Sequence, residues 1–200
     1  MHHIRRRQSP SRFTRSRRRT LTGAAFAVVI ALALGGSAVA EYIDQGSPPV
    51  EGNQRYYFNI TAKHSGLNLN VAGASTKNGA EIIQWYGPSH MNEQWEQLYS
   101  GSSQGYLFRN RWSRQCLTSP SNVEGAVIVQ RPCEGTSNQL WMPEQPTDNG
   151  TFWYLRNYAS KFDLNVAGGS GEMGAKLIQY RHVNAAPNAE FDWSGHYVTD

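Results

Sequence analysis

Cysteine is scarce here: Cys116 and Cys133 are the only two in 200 residues. No histidine lies at ligand spacing from either, so a zinc site of the Cys/His kind is not expected, and neither is a cysteine nucleophile. His64, His90, His182 and His196 form no i,i+4 pair and accompany no carboxylate motif, which argues against a hydrolytic metal centre or a triad. A sustained helical period is missing from everything after residue 40. An apolar run long enough to cross a membrane is missing as well, since the longest, residues 24–34, falls well short of the roughly 20 residues a spanning helix needs.

Basic charge is also in short supply once the first forty residues are set apart. That segment holds eight of the nineteen Lys and Arg residues and none of the fifteen Asp and Glu, so the remainder has eleven basic against fifteen acidic side chains, a net charge of −4. The sequence pI of about 9.2 therefore belongs to the N-terminal segment. Nucleic acid is not an expected partner, because the electrostatic footprint it needs is absent from the rest of the chain. The order of features in residues 1–40 is that of a secretory signal peptide: an arginine-rich stretch, the apolar run, then Ala38-Val39-Ala40 before Glu41. Ser16-Arg17-Arg18-Arg19-Thr20-Leu21 is a weak version of a twin-arginine signal, and both export routes stay open. Residues 41–55, with Gly46-Ser47-Pro48-Pro49, read as a linker, and the domain proper as 56–200. The product is expected to be secreted and monomeric, with no membrane span. In an exported protein an isolated cysteine pair is most simply a disulfide.

What the chain does have is self-similarity. Residues 67–86 read LNLNVAGASTKNGAEIIQWY and residues 164–180 read LNVAGGSGEMGAKLIQY, and a diverged copy, RQCLTSPSNVEGAVIVQRPC, spans 114–133. Anchoring on Leu69, Leu117 and Leu164 places Asn70, Thr118 and Asn165 in register, 48 and 47 residues apart. Each copy then closes on a tryptophan, expected at Trp95, Trp141 and Trp193. Within a unit, Leu67, Leu69 and Val71 alternate with Asn68 and Asn70, the period of a half-buried strand, and a Ser/Asn/Gly-rich connection follows. A unit of under about fifty residues cannot bury its own apolar face, whereas three around one axis share a core. The expected fold is all-β, a β-trefoil of three repeats with pseudo-threefold symmetry, with the three tryptophans filling its centre.

Gln139-Leu140-Trp141, together with the threefold recurrence of a Leu-Asn-Val-Ala-Gly strand, a Gly-bearing turn, Ile-Ile-Gln-Trp or Leu-Ile-Gln-Tyr, and an Asn before the closing aromatic, resembles the ricin B-chain type β-trefoil lectins and related carbohydrate-binding modules of secreted bacterial proteins. The resemblance covers about residues 56–198. It implies a subsite made of an acid ending the first strand, an aromatic on the second, and Asn with Gln before the closing Trp. A pyranose stacks its C–H face on an aromatic ring while carboxylate or amide groups pair its hydroxyls. Carried over, the first unit offers Asn70, Trp85, Asn92 and Gln94, with Glu93 as the alternative to Gln94; the third offers Asn165, Tyr180 and Asn188. The second offers Thr118, Arg131, Asn138 and Gln139, and without an aromatic platform reads as scaffold. Asn stands where the family has Asp at both aromatic-bearing sites, which removes a charge from the hydroxyl hydrogen bond. Two bland readings compete: Trp85 and Tyr180 as hydrophobic fill, and Asn70 and Asn165 as turn-capping amides.

Other motifs carry less. Residues 169–174 fit a dinucleotide-binding glycine pattern, but a strand follows and the first unit makes the same turn without those glycines. Asn59-Ile60-Thr61 and Asn149-Gly150-Thr151 match the glycosylation acceptor pattern. Glu81 with Glu93 or Glu96 is not singled out as a glycosidase pair by any spacing. The expectation is a secreted, non-enzymatic lectin module for a glycan or polysaccharide, without metal or cofactor. The competing classes are a protein-interaction or inhibitor trefoil with vestigial sugar sites and a cryptic hydrolase, and exposure of Trp85 and Tyr180 in concave subsites separates the first from the lectin.

Overall fold

A computed structural model describes residues 55–87, 90–101, 105–146 and 150–193. The expected signal segment 1–40, nearly all of the linker and Asn149 lie outside the described residues. Period-two alternation yields thirteen short strands among them: β1 (Phe58–Asn59), β2 (Thr61–Ala62), β3 (Asn68–Val71), β4 (Ile82–Trp85), β5 (Gln94–Tyr99), β6 (Tyr106–Asn110), β7 (Cys116–Thr118), β8 (Val129–Arg131), β9 (Trp141–Glu144), β10 (Trp153–Asn157), β11 (Asp163–Val166), β12 (Leu177–Tyr180) and β13 (Glu190–Asp192). No described helix is long and apolar enough to cross a membrane.

The pairing order β1-β5-β6-β9-β10-β13-β2 returns to its start, because β1 and β2 are two halves of one strand interrupted at Ile60. Three hairpins, β3–β4, β7–β8 and β11–β12, branch from that ring, one per unit. Each hairpin strand leads into a tight turn. After β3 and β11 the chain bends through Gly73 at φ 61° and Gly168 at φ 63°, left-handed values that an L side chain resists. The result is the β-trefoil that the repeats dictate. Its core is built in threes, with Leu69, Leu117 and Leu164 in one layer, Ile82, Ile128 and Leu177 in another, and Ile60, Phe108 and Leu155 in a third, all buried.

The closing aromatics form the fourth layer, and here the structure corrects the sequence. Trp95 and Trp141 are fully buried, donating their indole N–H to Leu69 O at 3.1 Å and Leu117 O at 3.0 Å. In the third unit the equivalent position is held by Phe191, also fully buried, and not by Trp193. Asn188 precedes Phe191 by the same three residues that separate Asn92 from Trp95 and Asn138 from Trp141. The extra residue lies in the loop between Tyr180 and Asn188, where Ala185 takes a φ of 54°. Trp193 is only partly buried and packs edge-on against Phe108, ring centres 5.9 Å apart.

A threefold set of glutamines ties the units together. Gln84, Gln130 and Gln179 are fully buried. Each uses its amide N–H groups to bridge two carbonyls in the turn of a neighbouring unit: Gln84 holds Ser170 O and Glu172 O, Gln130 holds Ser75 O and Lys77 O, and Gln179 holds Ser121 O and Val123 O. The 169–174 segment is thus a turn fastened by Gln84. A serine hydroxyl supplies each amide oxygen, from Ser65, Ser113 and Ser119 respectively. Gln130→Leu would remove three hydrogen bonds at once, those to Ser75 O and Lys77 O and the one from the Ser113 hydroxyl, so a stability loss of about 3 kcal/mol is expected. Urea unfolding should show a lower midpoint at unchanged m-value, and an unchanged midpoint would show that the latch carries no stability.

Candidate functional site

The turn latched by Gln130 forms one wall of a cavity of about 310 Å³ in the first unit, lined among others by Asn70, Gly73, Ala74, Trp85, His90 and Asn92. Asn70 is the penultimate residue of β3 and Trp85 the last of β4, so the hairpin sets them on one side of the sheet two residue pairs apart. Asn92 arrives from the 3₁₀ turn Met91–Glu93 and donates its side-chain N–H to Asn70 Oδ1 at 2.9 Å, with a longer contact to Val71 O at 3.4 Å. Asn70 is therefore held by a side chain from the far end of the unit and not by its own turn. Its side-chain N–H and the side-chain oxygen of Asn92 remain to pair ligand hydroxyls. Trp85 is 41% exposed, and a Cβ on Gly174 would lie 3.7 Å from its ring, so the third unit's turn backs the indole edge while a face stays open.

Glu93 also lines this cavity. Its carboxylate is fully buried, with Oε2 3.4 Å from the Asn68 side-chain N–H and Oε1 without a hydrogen-bond partner among the described residues. Gly87 presses its backbone so closely on this group that a Cβ there would stand 1.8 Å from Oε1. Glu93 thus brings a carboxyl group behind the floor of the cavity. Gln94 is not among the lining residues. It starts β5, is buried, and its side-chain oxygen accepts a 2.7 Å hydrogen bond from Arg111. The strand boundary decides this: Glu93 is the last residue of the turn, and Gln94 begins the barrel strand.

The third unit repeats the amide pair, with Asn188 donating to Asn165 Oδ1 at 2.8 Å and to Val166 O at 3.2 Å. Its aromatic, Tyr180, is 36% exposed, but the Arg181 guanidinium lies 5.5 Å from the ring centre. Arg181 is in turn held by both oxygens of Glu124, at 2.7 and 3.0 Å, and this hydrogen bonding keeps the Glu124 carboxyl below the usual carboxylate range. Ala189 stands where the first unit has Glu93. The second unit has neither platform nor amide pair. Thr118 bonds Cys116 O, Asn138 bonds Ser119 O, and Arg131 is exposed at the aromatic's position. Gln139 is spent on its own loop, accepting from the backbone N–H groups of Glu134 and Gly135 and donating to Pro132 O and Thr118 Oγ1. Cys116 and Cys133 form a disulfide across the ends of this hairpin.

The carboxylates weighed as a hydrolytic pair do not face one another as free groups. Glu81 is paired with Lys176 at 2.8 Å, and Glu96 with Arg109 at 2.8 Å. Two residues that the sequence did not single out also shape the first site. His90 stands at its rim, and Trp112 donates its indole N–H to Ala74 O at 2.9 Å, bracing the turn from outside.

The chain matches the family described as ricin-type β-trefoil lectin domain-like over residues 49–122 and again over 91–180. Among solved structures, the designed threefold-symmetric protein ThreeFoil is 30% identical, with a TM-score of 0.66 over 70% of this chain and 99% of that one. The exo-β-1,3-galactanase 1,3Gal43A from Clostridium thermocellum is 23% identical with a TM-score of 0.64, and the match takes in 72% of this chain but 30% of the galactanase. The Macrolepiota procera ricin B-like lectin, solved in complex with lactose, is 17% identical with a TM-score of 0.59 over 72% of this chain and 96% of that lectin. At those identities the last two show the shared fold. No curated protein matches the chain.

Proposed function

This chain belongs to the ricin-type β-trefoil lectin domain-like family, and on that premise we propose that it is an exported, non-catalytic module that holds glycan at the first-unit cavity and, more weakly, beside Tyr180. The observation that carries the reading is the side-chain pair Asn92–Asn70, repeated as Asn188–Asn165, each beside a partly exposed aromatic and each missing from the unit that lacks one. A ring face to stack on, flanked by amides that both donate and accept, suits a pyranose. The ion pairing of Glu81 and Glu96 supports binding over hydrolysis. Export is supported by the order of features in residues 1–40 and by a disulfide, which persists in oxidising compartments.

A single shallow site is expected to bind a monosaccharide near millimolar, about −4 kcal/mol. A polymer that reaches both aromatic-bearing units should bind on the order of 10²-fold tighter through avidity. Titration of residues 41–200 with a glycan array's best monosaccharide and its polymer tests this. Equal affinities would mean one working subsite, and no retention on any glycan would move the reading to a protein-interaction trefoil.

A further inference from the structure

Aromatic side chains gather a second time, at a part of the barrel that none of the three repeat subsites uses. A cavity of about 540 Å³ is lined by Gln97 and Tyr99 of β5, Tyr106 of β6, Pro143 of β9, Trp153 of β10, and Trp193 just after β13. It is separate from the first-unit cavity. The two share no lining residue, and Tyr99 lies six residues beyond Glu93 of the first cavity, about 20 Å along an extended chain. Its volume falls within the range of roughly 300–1,000 Å³ usual for small-ligand sites.

The tryptophans divide into two classes by what their N–H groups do. Trp95, Trp141 and Trp112 each donate to a backbone carbonyl. Trp85, at the proposed sugar site, has no protein acceptor among the described residues, and neither do Trp153 and Trp193. The hydroxyls of Tyr99 and Tyr106 and the amide of Gln97 are likewise unpartnered. Tyrosine and tryptophan buried for packing usually find a partner for the polar end. Here five partly or fully exposed polar ends around one groove have no protein partner among the described residues. Tyr99 is 52% exposed and tilts against Tyr106 with ring centres 5.8 Å apart, and Trp153 and Trp193 are 6.3 Å apart, so the groove carries two aromatic pairs. None of the described residues lining it is charged.

We propose that this groove is a second carbohydrate site, which takes a neutral oligosaccharide of two or more pyranose rings along the aromatic pairs, independently of the amide-based subsites. Rings stack on the aromatic faces, and the hydroxyl, indole and amide groups meet the sugar hydroxyls that an apolar peptide would leave unanswered. The proposal shares with the preceding reading only the class of ligand.

The test follows the six indole N–H resonances of the ¹⁵N-labelled protein, assigned by single Trp→Phe variants, during titration with cellohexaose, xylohexaose and mannohexaose. The Trp153 and Trp193 signals should shift with at least one of these. That response should persist within twofold in Trp85→Ala and weaken at least tenfold in Tyr99→Ala, whose exposed side chain can be removed while the Trp95 and Trp141 signals report an intact core. Groove signals that ignore all three hexasaccharides overturn the proposal even if the Trp85 signal shifts, which would leave the first-unit site standing. Shifts in the groove signals on raising protein concentration without sugar also overturn it, because they would mark a face for a second copy. Groove shifts without any at Trp85 would uphold the groove and remove the first-unit assignment.

Discussion

Trp85→Ala is expected to abolish sugar retention by the first unit while leaving the fold intact. The indole is the only broad aromatic face among the described residues lining that cavity, and it lies beside the Asn92–Asn70 pair and close to Gly174, where a Cβ would stand 3.7 Å from the ring. Truncating a packed aromatic anchor costs roughly 2 kcal/mol or more, and against a total of about 4 kcal/mol for a millimolar site that loss takes binding below easy detection. The fold should tolerate the change because the ring is 41% exposed and lies outside the buried core. Tyr180→Ala should do less, since Arg181 already occupies space over its ring, and Arg131→Ala should do nothing measurable. The check is retention on immobilised polysaccharide alongside thermal melting. A folded Trp85→Ala protein that binds as well as wild type would remove the first-unit assignment.

The architecture was legible because the repeat states it three times. Leu69, Leu117 and Leu164 fall in one buried layer as their spacing predicts, and Gln84 and Gln179, which alternation turns away from Trp85 and Tyr180, point inward to latch a neighbouring turn. The bond partners of those glutamines were not legible, since they join turns of different units. A short-range pattern shows which face a side chain takes, and only the closed barrel shows what waits there.

The candidate site was legible in part for the same reason. Asn70, Trp85 and Asn92 are brought together by a hairpin and a turn, both local events whose spacing the sequence displays. Choosing between Glu93 and Gln94 required the boundary between turn and strand, which moves by one residue without any change in composition. The aromatic groove had no sequence signal at all. Tyr99 and Tyr106 meet across the β5–β6 hairpin, but only barrel closure sets that pair beside Trp153 and Trp193.

Phe191→Ala is expected to destabilise the protein by about 3–5 kcal/mol, the range for emptying a fully buried aromatic site. Trp193→Ala should cost distinctly less, about 2 kcal/mol, because its ring is partly exposed and its removal forfeits chiefly the edge contact to Phe108 and the tilted one to Trp153. The order is opposite to the one the recurrence of tryptophan suggests. It follows from the pairing of Phe191 with Ala62 and Trp153, which seats it at the centre of the barrel as the counterpart of Trp95 and Trp141. The indole N–H of those two is answered by the carbonyls of Leu69 and Leu117. Phenylalanine fills the same layer without a polar end to satisfy. Urea unfolding followed by far-UV circular dichroism, which does not depend on the fluorescence of the residue removed, compares the two variants directly. If Trp193→Ala proved the costlier change, the third repeat would close on its tryptophan after all, and its subsite would have to be rebuilt two residues away from Asn188.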